Sequence, residues 1–284
     1  MRKSHLSRVL SALGRWLIVA SPAIYKPINR LNRAALRHSF KDTSQNSLLE
    51  FWKSFEFVSL EQENYKHFGA DEDGGYFLAF PFNKSSEVVS VGLGDNLSFD
   101  FDISPYVNRI HMWDHTITPP GEIPLNSKYY SKGLGCKTSG DFISLKEMFD
   151  NLDQESRIIL KIDIEGAEWE VLDSLNRNAL DRIDQMVIEF HGLFEIVRNQ
   201  IKFQSALKSL RFLSRDFYTI NVNVNNWGNV QVLHGLTFPD VIEVSYLRKD
   251  LNFEGDHGKI SLKGFPNNPK QPRLLLQNFE NILR

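Results

Sequence analysis

Three stretches of this 284-residue chain end in side chains able to handle a proton, a hydroxyl or a cation. In Leu160-Lys-Ile-Asp-Ile-Glu-Gly166, an apolar β-branched run gives way to Asp163 and Glu165 just before a glycine. In Gln185-Met-Val-Ile-Glu-Phe-His191, a similar run ends in Glu189 and His191, and Tyr218 to Val224 leads into Asn225-Asn226. Carboxylates and an imidazole at neighbouring strand ends are general-base candidates, because each can accept a hydroxyl proton at hydrogen-bond range. Oxygen ligands of this kind also suit a hard divalent cation, for which Asp163 and Glu189 are the candidates. Glu189, Asn225 and Asn226 have the donor and acceptor character to hold a polar substrate. Glu168 and Glu170 read more simply as acids at a helix N-terminus. No zinc-type Cys/His spacing, phosphate-loop Lys-Ser/Thr or nucleophile-elbow pattern occurs.

Residues at strand ends converge only if the strands lie side by side, which an open α/β sheet provides. The stretch that anchors such a sheet is Glu87-Val-Val-Ser-Val91, running into Gly92-Leu-Gly94. A buried strand followed by Gly-x-Gly lets the backbone turn sharply and approach a nucleotide closely. Twenty positions beyond Gly94, Arg109-Ile-His-Met-Trp-Asp114 reads as a second strand ending in a carboxylate. Asp114 can accept two hydrogen bonds from a ribose diol. The third position of a dinucleotide fingerprint is Leu97, not glycine, and no Tyr-x-x-x-Lys pair occurs, which speaks against a nicotinamide-dependent oxidoreductase.

Strands alternating with helical patterns from Glu87 onward predict a mainly parallel sheet. Helices are expected over Ser44–Phe57, Gly166–Leu175 and Gln200–Leu213, and one capped by Ser144 with Glu147 as capping-box partner. Asp73-Gly74-Gly75 signals a tight turn between two extended pieces, a β-hairpin. Tyr218–Val224 and Val241–Tyr246 follow one another without a helix between them, which requires antiparallel pairing near one edge. Pro266 to Pro272 is a loop with the character of a lid.

With 42% hydrophobic residues the chain can bury a full core. The single cysteine, Cys136, excludes an intrachain disulfide and fits a reducing, cytoplasmic compartment. Up to Lys41 there are nine Lys/Arg and no acid, which leaves 24 of the 33 basic residues to face all 35 acids. Such an acidic body is not a nucleic-acid-binding core. Within the arm, Leu6, Val9, Leu10, Leu13, Trp16 and Leu17 are spaced close to a helical repeat, and the uncharged run Trp16–Tyr25 is too short to span a bilayer. The arm (1–43) reads as an amphipathic helix for a membrane surface or a partner, with a cleavable signal as a further alternative. The second region is 44–284.

Asp163-Ile-Glu-Gly-Ala-Glu-Trp169 resembles the signature of the FkbM-type methyltransferases. The resemblance extends to Asp71-Glu-Asp-Gly-Gly-Tyr76, Ser90-Val-Gly-Leu-Gly-Asp-Asn-Leu-Ser-Phe-Asp100, Val187–His191, Asn225-Asn226 and Pro239–Val244. It therefore runs in order from about Phe68 to Tyr246. It implies a class I methyltransferase, Rossmann-like α/β sheet, mostly parallel with an antiparallel edge strand and helices on both faces, beside the N-terminal helical extension. It implies S-adenosylmethionine (SAM) as cofactor, held by Gly92, Gly94 and Asp95 at the methionine portion and by Asp114 at the ribose. His191, or Asp163 with Glu165, would take or orient a hydroxyl proton, and the acceptor would be a sugar, glycan or natural-product hydroxyl. A lipid-linked acceptor would suit the basic arm (1–41) at the inner membrane surface. Some relatives carry His-x-Asn-Asn where this chain has Asn223-Val-Asn-Asn226. A non-catalytic adaptor on the same fold is the other reading.

Overall fold

The computed structural model describes residues 43–118, 121–175, 177–271, 273, 274 and 276. The arm helix expected before residue 43 lies outside them. In chain order the elements are α1 (Gln45–Lys53), β1 (Val58–Leu60), β2 (Tyr65–Phe68), β3 (Tyr76–Ala79), β4 (Glu87–Val91), α2 (Ser98–Ile103) and β5 (Arg109–Trp113). Then come β6 (Ser127–Tyr130), β7 (Gly133–Gly135), β8 (Phe142–Ser144), α3 (Leu145–Asp150), β9 (Ile158–Ile162), α4 (Glu168–Ser174), α5 (Arg177–Leu180) and β10 (Ile183–Phe190). The last are α6 (Leu193–Arg198), α7 (Gln200–Asp216), β11 (Phe217–Val224), β12 (Val230–Leu233), β13 (Leu236–Pro239), β14 (Ile242–Arg248) and β15 (Gly255–His257).

Seven strands form one sheet in the order β11-β14-β10-β9-β4-β5-β6. Every pairing from β10 through β6 is parallel, whereas β14 runs antiparallel to both its neighbours. This is the class I methyltransferase sheet. Its antiparallel strand lies one place in from the edge, between β10 and β11, because the chain returns after β11 to fill that slot. All residues of β4, β9 and β10 are buried, as strands covered on both faces must be.

On one face Val88, Ile110, Ile159 and Val187 meet Phe99 and Ile103 of α2 and Phe68, Tyr76 and Leu78 of the β2–β3 hairpin. The side-chain amide of Gln185 fastens that hairpin to the sheet, donating to Ala79 C=O and accepting from Ala79 N–H, both at 2.9 Å. On the other face Trp169 of α4 packs on Phe190 at 4.6 Å between ring centroids, and Phe51 of α1 approaches Trp169 at 6.4 Å. α7 buries Phe203, Ala206, Leu207, Leu210 and Leu213, the three-and-four spacing of one helical face.

Two departures from the sequence reading have local causes, and one late strand pairs outside the main sheet. α4 begins at Glu168 rather than Gly166, because Glu165 and Gly166 hold φ of +55° and +110°, which no right-handed helix can include. The expected capping box is half formed. Ser144 Oγ accepts from Glu147 N–H at 3.3 Å, but the Ser144 N–H goes to Thr138 Oγ1, whose hydroxyl in turn donates to Glu147. Val230–Leu233 does not join the main sheet; it pairs with β13 across His234-Gly235, whose φ of +50° and +79° suit a two-residue hairpin turn.

Candidate active site

The carboxyl ends of β4, β5 and β9 open into a cavity of about 310 Å³. Its floor is the Gly92–Gly94 turn. A Cβ on Gly92 would lie 1.6 Å from the carbonyl oxygen of Asp163, so this glycine is what lets the ends of β4 and β9 close on one another. Gly94, at φ +55°, has open space where a side chain would be. Asp114 clamps the turn from the end of β5. Its Oδ2 accepts from Leu93 N–H at 2.8 Å and Gly94 N–H at 3.3 Å, and its Oδ1 accepts from the amide and hydroxyl of Thr116, each at 2.7 Å. Burial opposes ionisation of Asp114, but these hydrogen bonds outweigh it and hold the carboxyl below its usual range. Both of its carboxylate oxygens therefore already accept hydrogen bonds from within the chain.

Lys161 crosses the cavity beneath the turn. Its ammonium donates to Gly92 C=O and stands 3.7 Å from Asp163 Oδ2. Asp95, Asp163 and Glu165 also line the cavity.

The cavity continues into a wall of acids and amides. Glu189 of β10 and Glu243 of β14 are direct cross-strand partners, as are Glu243 and Asn223 of β11. Asn225 Nδ2 donates to Glu189 Oε1 at 2.7 Å, and Asn223 Nδ2 donates to Glu243 Oε2 at 2.9 Å. Asn267 Nδ2 donates both to Glu243 Oε1 and, at 3.1 Å, to Asp73 Oδ1. Burial first, then the charges of Asp163, Glu243 and Asp73, push Glu189 well above the usual carboxylate range. Burial also raises Glu243, to about 7, against the lowering effect of its two amide donors.

Tyr76 belongs to the cavity and the wall together. Its hydroxyl is buried and has no hydrogen-bond partner among the described residues. Burial and then the charges of Asp163, Glu189, Glu243 and Asp73 raise its pKa far above the ordinary phenol value. Removing a hydroxyl that bonds nothing forfeits no hydrogen bond. In EDTA-treated protein, Tyr76→Phe is therefore expected to melt within about 2 °C of wild type, or higher, by differential scanning calorimetry. A larger fall would mean the hydroxyl is partnered in solution.

His191 sits at the junction of β10 and α6. Its Nδ1 donates to Glu168 Oε1 at 3.0 Å, while Nε2 lies 3.5 Å from Glu189 and 3.7 Å from Glu165. Burial alone would lower its pKa, but Glu168, Asp163 and Glu165 together raise it to about 9. The resemblance gives His191 the part of taking or orienting a hydroxyl proton; a pKa raised to about 9 favours the protonated ring at neutral pH, which suits orienting.

Of the residues singled out from sequence, the structure brings Gly92, Gly94, Asp95, Asp114, Asp163 and Glu165 around one cavity, with Glu189, His191 and Asn225 in the adjoining wall. Asn226 is occupied elsewhere. Its side chain receives Asn268 N–H at 2.6 Å and donates to the carbonyls of Asn268 and Gln271, pinning the C-terminal loop. The reading passed over Glu168, which is fully buried and also accepts from Ile164 and Gly166 N–H, each at 3.1 Å. Asp73, which reads as a turn residue, and Tyr76, Lys161, Asn223, Glu243 and Asn267 are further members of the site that spacing does not single out. The signal available for Glu243 was a carboxylate alternating into the middle of an apolar strand.

Residues 141–226 match the family described as Methyltransferase FkbM domain. Over that segment, 86 of the chain's 284 residues, the chain is similar to the methyltransferase FkbM domain. The matched segment holds Asp163, Glu165, Glu168, Glu189, His191 and Asn225. The glycine turn, Asp114 and Glu243 lie outside it. No curated protein matches the chain.

Among solved structures, a fibrillarin pre-rRNA processing protein of Methanococcus jannaschii is 11% identical, with a TM-score of 0.36 over 68% of this chain and 88% of its own. An rRNA methylase of Streptococcus thermophilus is 11% identical, with a TM-score of 0.36 over 58% and 88%. A Streptococcus mutans protein in complex with SAH is 9% identical, with a TM-score of 0.31 over 58% and 88%. At such scores the fold assignment rests on the strand order instead. Among the described residues no helix is long and apolar enough to cross a membrane.

Proposed function

We propose that this chain transfers the methyl group of SAM to a hydroxyl of a sugar, glycan or related natural product. One observation carries the reading: the glycine-turn cavity and the acid–amide wall are continuous, sharing Asp73, Tyr76 and Asp163. The cavity fits the cofactor in its chemistry. The open space at Gly94 and the Thr116–Asp114 pair would take the nucleoside side, and the acids at the far end suit a cationic group. When bound, SAM supplies a methyl carbon activated by positive sulfur. The chain's task is then to align an acceptor oxygen with that carbon and to keep water away.

Carboxylates and side-chain amides in alternation form donors and acceptors suited to several hydroxyls at once. Asp163 would accept the departing hydroxyl proton; its lining of the cavity beside the Lys161 ammonium supports that role. His191 holds a positive charge against Glu189 and Glu165, tying the strand end to the loop before α4.

Calorimetric titration with SAM of the wild type and of Asp114→Ala tests the reading. Wild type is expected to bind. The variant is expected to bind about 10- to 100-fold more weakly, the equivalent of losing hydrogen bonds to a charged group. A folded wild type that does not bind SAM would sink the proposal. Binding followed by methyl transfer to amines but not to hydroxyls would leave the cofactor and remove the acceptor.

A further inference from the structure

We propose that Asp73, Glu189 and Glu243 hold a divalent cation of the magnesium or manganese type in the wall beside the cavity. One oxygen from each carboxylate falls within 4.8 Å of the others, close enough for a single ion to be shared. The three come from separate places, the β2–β3 turn, β10 and β14, and so converge only in the finished fold.

The second observation is the Tyr76 hydroxyl. It is 3% exposed, bonds no described residue, and the charges acting on it most strongly are those of Asp163, Glu189, Glu243 and Asp73. A buried hydroxyl without a partner among four carboxyls needs a ligand, and a water on the ion would supply one. The charge balance agrees. Among the described residues one basic side chain stands within ion-pair distance of the trio, His191 at 3.5 Å from Glu189, and its ring is shared with Glu168 and Glu165. Arg273 acts on Glu243 only from further away.

The amides complete the site. Asn225, Asn223 and Asn267 each donate to a carboxylate oxygen, which fixes the carboxylates as outer-shell partners fix metal ligands. All-oxygen donors favour a hard ion over zinc. A second trio, Asp163, Glu189 and His191, is also compact. It is the poorer site, because Asp163 already faces the Lys161 ammonium at 3.7 Å, which an ion there would have to stand beside. The inference rests on the methyl-transfer reading for its use, an ion that gathers the acceptor's oxygens, but not for its test.

The test titrates the full chain at pH 8 with Mn²⁺ alone, following free Mn²⁺ by electron paramagnetic resonance, with SAM calorimetry on the same sample. Wild type is expected to bind one equivalent. Asp73→Asn and Glu243→Gln are expected to bind about 100-fold more weakly, and Glu72→Gln, an exposed neighbouring acid, as wild type. The Asp73 side chain is exposed, so its variant should fold even if Glu243→Gln does not. No binding to wild type, or equal weakening in all three variants, would overturn the site. Mn²⁺ binding without SAM binding would uphold it and sink the methyl-transfer reading instead; SAM binding without Mn²⁺ would do the reverse.

Discussion

Gly92→Ala is expected to lose more than about 4 kcal/mol of stability and to accumulate as insoluble protein, the largest effect of any single methyl group here. The added carbon would lie 1.6 Å from the carbonyl oxygen of Asp163, where an ordinary contact needs more than 3 Å. Neither side can yield cheaply. Gly92 N–H is bonded to Trp113 C=O, Asp163 N–H is bonded to Val91 C=O, and the two strands between them are buried throughout. The residue also sits at φ +75°, where a Cβ costs roughly 1–2 kcal/mol even in open space. Gly94→Ala is the control. It too has positive φ, but nothing within 4 Å of the new carbon, so it should fold with a loss of about 1–2 kcal/mol. Urea unfolding of both variants, with soluble yield, checks the pair. A Gly92→Ala protein as stable as Gly94→Ala would mean that the ends of β4 and β9 are further apart than drawn.

Replacing Glu168 by Gln is expected to lower the pKa of His191 from its value of about 9. The amide oxygen of Gln can still accept from Ile164 and Gly166 N–H, so the loop keeps its anchor and only the negative charge is lost. The folded pKa of His191 lies above its unfolded value of about 6.5, so its contribution is complete below pH ~6.5 and vanishes as pH rises through ~9. Over that window wild type should lose about 2–3 kcal/mol from this group, and Glu168→Gln much less. Glu243 acts in the same direction at lower pH. Its carboxyl is raised to about 7, so the benefit of its protonated form disappears between pH ~4.5 and 7. Urea unfolding at pH 6 and pH 9.5, with an NMR titration of the histidine ring, separates the two groups. An unchanged His191 titration in Glu168→Gln would show that the 3.0 Å contact does not govern its charge.

The fold was legible where strands are fully buried, because runs such as Val88–Val91 and Ile158–Ile162 leave no other way to hide their side chains. The glycine turn and Asp114 were found by spacing, which a local motif preserves. What escaped was contributed by partners distant in sequence. Glu168 looks like any acid in a first helical turn until His191, 23 residues on, reaches its buried side chain. Asn267 and Asp73 are separated by 194 positions, and nothing in either neighbourhood announces the other. Glu189 reads as a substrate or metal ligand from its place at a strand end; its elevated protonation comes first from burial and then from Asp163 and Glu243, the last of which arrives only because β14 slots in beside β10.

That slotting has a consequence for how the protein is made. β14 is placed between β10 and β11 after both have been synthesised, and Asn267, later still, joins Asp73 to Glu243. A chain still growing on the ribosome can form the glycine turn, Asp114 and the cavity floor long before it owns Glu243 or Asn267. The acid wall is therefore completed only after the glycine turn and Asp114 have been synthesised, so on the proposed function the acceptor side is finished later than the cofactor side.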